Sequence, residues 1–189
     1  MGFISAQHLA PSKGFFEPQR NYNWSLEIAL DDAGDQILIM QGLESFSAPH
    51  ESNDEITLEY ANERRYVAGK ASFAAAELKL KDFVDMGVAN AIIKWRRLVY
   101  NAETGSIGLA RDYKKNADLT LMAPNQSAVR IWKLQGVWPQ AAHYGDGLNM
   151  AGTDKVLISV TLRYDRAIPG SNLSLGLAGL NAGILTPPL

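Results

Sequence analysis

Apolar and polar side chains alternate along residues 156–165. Val156, Ile158, Val160, Leu162 and Tyr164 fall on one side, and Ser159, Thr161, Arg163 and Asp165 on the other, with Leu157 out of pattern. A period of two is that of a strand with one dry and one wet face. Two other stretches share it. Tyr22, Trp24, Leu26, Ile28 and Leu30 alternate with Asn23, Ser25, Glu27, Ala29 and Asp31, and Ile56, Leu58 and Tyr60 alternate with Thr57 and Glu59. Asp32-Ala33-Gly34-Asp35 reads as a turn after the first of these, with 37–41 returning as its neighbour strand. Residues 42–55 contain Gly42, Pro49, Ser52, Asn53 and Asp54 and read as a long exposed excursion. In 72–82, Phe73 lies at opposite parity to Leu78 and Leu80, which predicts a bulge or bend around Ala74 to Ala76. Strands are also expected at 118–122 and 129–134. The second runs on into Gln135-Gly136-Val137-Trp138-Pro139, and a polar, glycine-rich connection follows from Tyr144 to Gly152.

A single helix is expected at about 85–101. Val88, Ile92, Trp95 and Val99 recur at helical spacing, with Asn90, Lys94, Arg97 and Asn101 opposite, Asp85 as N-cap and Gly105 as terminator. About seven strands around one helix argue for a mainly β fold, an antiparallel sandwich or barrel with a packed helix, over an alternating βαβ fold. No internal repeat or linker divides it. Residues 1–21 form an N-terminal arm, 22–167 the β domain and 168–189 a C-terminal extension. Both ends carry proline, glycine and scattered apolar residues without periodicity.

Composition narrows the function more by subtraction than by indication. The 189 residues suit one domain, and 47% hydrophobic with 20% charged residues is ordinary for a globular chain. A net charge of -2 argues against a dedicated nucleic-acid binder, which usually carries a clustered basic surface. With no cysteine, disulfides, thiolate metal sites and cysteine nucleophiles are out. Met1 to His8 lack the basic and apolar regions of a signal segment, and the glycine-broken apolar run 173–185 is too short to span a bilayer.

Catalytic, cofactor and metal residues are assigned nowhere. His8, His50 and His143 are scattered, Gly145 and Gly147 lack the setting of a dinucleotide loop, and Asp31 to Asp35 lack the length and closing glutamate of a calcium loop. Trp24, Trp95, Trp132 and Trp138 read as packing residues and Arg96-Arg97 and Lys114-Lys115 as solvated basic pairs, so no enzyme is expected.

Several segments carry a resemblance in order. They are Val67-Ala68-Gly69-Lys70 before a strand ending Leu78-Lys79-Leu80-Lys81, the helix around Trp95, Asn101 to Gly108, Asp112-Tyr113-Lys114-Lys115, Trp132 to Pro139 and the last alternating strand. From about Tyr22 to Ala167 the chain resembles the tail tube proteins of contractile-tailed phages, which share their fold with the tube of type VI secretion. The resemblance implies hexameric rings stacked into a hollow tube within a contractile sheath. The implied partners are the chain itself, the sheath protein, the tape-measure protein, the baseplate and the tail terminator. DNA would pass through without sequence-specific binding, and no cofactor or membrane is involved. The tube would belong to the virion tail, assembled in host cytoplasm.

Under this reading the wet rows give candidate channel-lining residues: Glu27, Thr57, Glu59, Ser159, Thr161 and Arg163. The excursion and a nearby turn give candidate ring-stacking residues: Ser47, Pro49, His50, Glu51, Asn53, Asn62, Arg64 and Arg65. Two alternatives stay open: the tube of a secreted contractile injection system, and a ligand-binding β-barrel, whose inward faces should be apolar.

Overall fold

The computed structural model describes residues 19–145 and 150–170. Most of both expected terminal arms and part of the glycine-rich connection lie outside them. In chain order the elements are β1 (Trp24–Ile28), α1 (Ala33–Gly42), β2 (Leu43–Phe46), β3 (Glu51–Tyr60), β4 (Glu63–Phe73), β5 (Ala76–Lys81), α2 (Gly87–Val99), β6 (Tyr100–Asn101), β7 (Ser106–Ile107), α3 (Ala110–Tyr113), β8 (Lys115–Met122), β9 (Ala128–Tyr144), β10 (Leu157–Arg163) and β11 (Arg166–Pro169).

Every strand pairing is antiparallel. The main sheet runs β1-β8-β9-β10-β5-β2, with β11 also on β9. The long β9 joins two halves, pairing with β8 and β11 through its first part and with β10 through its second. Gly136, at φ +67, lies between these parts, where a Cβ would come 2.3 Å from Asp165 Oδ2. A glycine there lets β9 take a left-handed step and lets the β10–β11 connection approach closely. Lys114 holds that Asp165 carboxylate at 2.8 Å. At Pro139 the register with β10 shifts by one residue, a place where a strand tolerates a missing N–H.

The dry rows meet α2 in one core. Leu26 and Ile28, Leu78 and Leu80, Leu134 and Val137, and Ile158, Val160 and Leu162 are buried there with Val88, Ile92 and Trp95. Trp95 satisfies its ring N–H by donating to the Tyr113 carbonyl at 2.8 Å. Trp24 and Trp132 pack half-buried on the same core, and Trp138 meets Tyr113 edge-on at 5.8 Å. The mainly β, antiparallel expectation agrees with this architecture, and the predicted bend falls where β4 ends and β5 begins.

Four local expectations need correction. The stretch expected as a turn and a returning strand is helix α1, because Asp32 caps it by accepting the Gly34 N–H at 2.8 Å. Its Asp35 pairs with Lys94 of α2 at 3.1 Å, and its Ile39 is buried. The fold therefore packs two main helices on the sheet, and not one. The excursion 42–55 is largely strand, since β2 pairs with β5 and β3 begins at Glu51. Helix α2 starts at Gly87, with Met86 at the cap position in a left-handed conformation (φ 56). Asp85 still accepts the Gly87 N–H, at 3.2 Å. Finally, α2 stops at Val99, because Tyr100 turns extended and pairs with Ile107. Gly105 belongs to the turn of that small hairpin.

Candidate assembly surfaces

Strands β3 and β4 pair from Glu51↔Phe73 to Tyr60↔Glu63, closed by Ala61 and Asn62. At about 3.3 Å per residue the ten residues of β3 extend ~33 Å. All of β3 is exposed, and so is β4 apart from Gly69 and Phe73, which are half-buried. Register sorts the side chains into two rows. Ile56, Leu58 and Tyr60 share a face with Val67, Arg65 and Glu63, while Glu55, Thr57 and Glu59 share the other with Ala68, Tyr66 and Arg64. The first row is apolar except toward the tip, where Glu63 stands beside Tyr60 and the Arg65 cation lies over the Tyr60 ring at 5.6 Å. The second is polar, with Arg64 on Glu59 at 3.2 Å. A two-stranded hairpin with an open apolar row is marginal in water by itself.

The root of the hairpin is built into the body. Phe73 packs on Tyr164 with ring centroids 5.9 Å apart, and the Tyr164 hydroxyl accepts the His50 N–H at 3.3 Å. Ala74 N–H donates to the His50 carbonyl at 3.0 Å. Part-way out, Gly69 and Lys70 of β4 oppose the single Asp54 of β3, the sign of a β-bulge. A Cβ on Gly69 would meet the Asp54 carbonyl oxygen at 2.9 Å.

The residues proposed for ring stacking fall at both ends of this arm. Ser47, Pro49, His50, Glu51 and Asn53 lie at or near the root, and Asn62, Arg64 and Arg65 at the tip. Sequence reasoning took them from an excursion and a nearby turn and missed the pairing of β3 with β4, which sets them at the two ends of one arm. The local signal was weak, since Tyr66 and Val67 are consecutive and fall on opposite rows of β4.

The residues proposed as channel lining fall on three surfaces. Thr57 and Glu59 are on the polar hairpin row, and Glu27 is exposed on the outer face of β1, beside Asp118 of β8 and, beyond it, Lys133 of β9. Ser159, Thr161 and Arg163 are on the outer face of β10, with Glu77 and Lys79 of β5 and His143 of β9 at neighbouring positions. Arg163 is exposed, Thr161 half-buried and Ser159 buried. Ser159 thus departs from a wet row because the longer Lys79 and His143 occupy the register positions on either side. Both outer faces mix signs.

One further ionic cluster joins β2 to the connection before β10. Glu44 lies 3.1 Å from Lys81 and also binds Lys155. Hydrogen bonds from Lys155 first and Lys81 second hold its carboxyl below the usual range. Burial pushes the Tyr144 hydroxyl up from its ordinary value. Among the described residues no three histidine or carboxylate side chains gather as a metal site, and no helix is long and apolar enough to cross a membrane.

No family model matches the chain. A tail tube protein of Serratia phage KSP90 is 23% identical over 159 residues, which cover 79% of this chain and 88% of that protein. The fold has solved counterparts. A chain of the PVC sheath-tube complex, an extracellular contractile injection system in its extended state, superposes with TM-score 0.64 at 16% identity, covering 89% of this chain and 99% of that one. A chain of the anti-feeding prophage tube-terminating cap gives 0.64 at 14% identity, covering 83% and 93%. The chain shares its fold with these two chains and resembles the phage tail tube protein in sequence. A third counterpart, from the 6-fold symmetrised baseplate of the anti-feeding prophage, gives 0.61 at 12% identity over 82% of this chain and 97% of its own.

Proposed function

We propose that this protein is the tube subunit of a contractile phage tail, forming hexameric rings that stack into the conduit through which DNA leaves the virion. The observation that carries the reading is the open hairpin β3–β4 on a tube fold. Its apolar row of Ile56, Leu58, Tyr60 and Val67 has no cover from the described body, and a neighbouring subunit supplies it. The main sheet ends in two edge strands, β1 and β2, and a ring that pairs such edges between subunits removes a hazard every open sheet carries. Head-to-tail contacts that close by rotation give rings. Six-fold closure is favoured by the 6-fold symmetrised neighbour. The sheath, tape-measure protein, baseplate and terminator are the further partners of this reading, and assembly takes place in host cytoplasm.

The polar outer faces are the candidate channel walls. Glu27 and Asp118 beside Lys133, and Glu77 beside Lys79, give DNA no continuous cationic track, so phosphates slide without being held. A ring whose lumen is lined mainly by lysine and arginine would remove this part of the proposal.

The test is electron microscopy of the purified protein and of a variant in which residues 56–67 are replaced by a short turn. The native chain should give hollow rings or rods, and the shortened one soluble subunits that do not elongate. Normal rods from the shortened chain would sink the role of the hairpin. A stubborn monomer holding a small molecule would point to a ligand-binding barrel. A second reading, the tube of a secreted injection system, is favoured by the solved counterparts reported above. Adjacent genes for capsid and terminase, against those for an assembly ATPase and immunity proteins, separate the two.

A further inference from the structure

The body carries a second exposed apolar patch, at the end opposite the hairpin root. Strand β5 begins beside that root, at Ala76, and ends at Lys81, ~20 Å away at 3.3 Å per residue. The segment that follows shows Phe83, Val84 and Met86 to solvent, Val84 completely (relative exposure 105%). Met86 is held there in a left-handed conformation (φ 56), uncommon for a residue with a side chain. Val156, also exposed, borders the patch, because its carbonyl accepts the Asp82 N–H at 3.1 Å. Two carboxylates flank it: Asp82 accepts the Phe83 N–H at 3.0 Å and Asp85 the Gly87 N–H. Three apolar residues within four positions thus stand exposed in a turn otherwise fixed by aspartates.

We propose that this patch is the acceptor for the hairpin of a second copy of the chain. The inference rests on reading the hairpin as an inter-subunit arm and adds where the arm lands. The two surfaces suit each other. The hairpin offers an apolar row with the Arg65 cation along it and Glu63 confined to the tip, and the patch offers an apolar turn edged by Asp82 and Asp85, to which Arg65 is the complement. They sit at opposite ends of β5, so the contact is heterologous: the patch of each copy stays open when its own hairpin docks, and growth continues in one direction.

Size explains why the contact would act only in a ring. One face of a two-stranded ribbon ~33 Å long and ~10 Å wide offers roughly 330 Å², well below the ~800 Å² per partner of a stable pair. A lone subunit is then captured weakly, whereas a ring that presents several arms at once is captured by their product.

The absence of cysteine makes the test direct. Two single-cysteine proteins, Leu58→Cys and Val84→Cys, are prepared separately, mixed and oxidised under mild conditions, and the products are separated without reductant. Mixed dimers should exceed either like pair by at least tenfold. A second variant, Val84→Asp, changes a fully exposed side chain and should leave subunits soluble while rods become scarce.

Native rods in the microscope with no mixed cross-link, or with like pairs as abundant as mixed ones, would overturn the acceptor and leave the tube reading standing. Val84→Asp rods of normal number and length would do the same. A preparation that forms no rings or rods yet cross-links Leu58→Cys to Val84→Cys would support the contact and count against the tube.

Discussion

Strand β10 and the hairpin β3–β4 carry the same alternation and meet opposite fates. In β10 the dry row Ile158, Val160 and Leu162 is buried completely, beneath α2 and between β5 and β9. In the hairpin the dry row Ile56, Leu58 and Tyr60 stays open to solvent. Alternation therefore reports that a face needs cover and says nothing about which body supplies it. Strand β10 is covered from within the chain. The hairpin row has no such cover among the described residues.

The strongest way to break the comparison is to truncate one residue from each row. Leu78→Ala, across from Val160 in the buried row, should cost the isolated subunit about 3 kcal/mol in urea unfolding. Leu58→Ala should cost less than ~0.5 kcal/mol by the same measurement, yet reduce rod formation in electron micrographs. Equal losses of subunit stability would show that the hairpin packs on its own body.

Next in size is Gly136→Ala. Left-handed backbone and a side chain 2.3 Å from Asp165 together predict a loss of ~2 kcal/mol in the same unfolding experiment. An unchanged midpoint would mean that β9 does not need its step between the two halves of the sheet. Asp32→Ala removes the cap of α1 and should cost about 1 kcal/mol. A shift in thermal midpoint with unchanged rods would place α1 wholly on the folding side of the comparison.

The smallest effect is the pH response of Glu44. Its carboxyl titrates lower in the folded subunit than in the unfolded chain, so the folded state binds fewer protons there. The contribution is present above the ordinary carboxylate range and lost as pH falls through the folded value. Glu44→Gln should flatten that part of the stability profile in acid unfolding curves slightly, and an unaltered profile would show that solvent screens the cluster.

What could be read from the residues follows the same division. The buried rows of β1, β5 and β10 and the stripe of α2 were legible, because each has one clear period and a partner within the chain. Helix α1 was not, since Ile37-Leu38-Ile39-Met40 is a continuous apolar run that fits a short strand as well as a helix turn. The decision lies in contacts no local pattern shows: the Asp32 cap and the pairing of Asp35 with Lys94, 59 residues away. Strand β9 was read short because Gly136 and Pro139 look like stops, while the structure absorbs both at register changes within one 17-residue strand. Of the proposed surface residues, most are exposed as read, but Ser159 is buried, and the distribution of the set was not legible. The stacking set splits between root and tip of one arm, and the lining set spreads over three faces.

The root at Phe73, Ala74 and His50 divides two kinds of evolutionary constraint. Substitutions on the body side are answerable to folding, and those beyond the root are answerable only to whatever the arm touches. A lineage could therefore rewrite residues 55–68 to match a changed neighbour, or to reject the subunits of a related particle in the same cell, without endangering the fold that carries them.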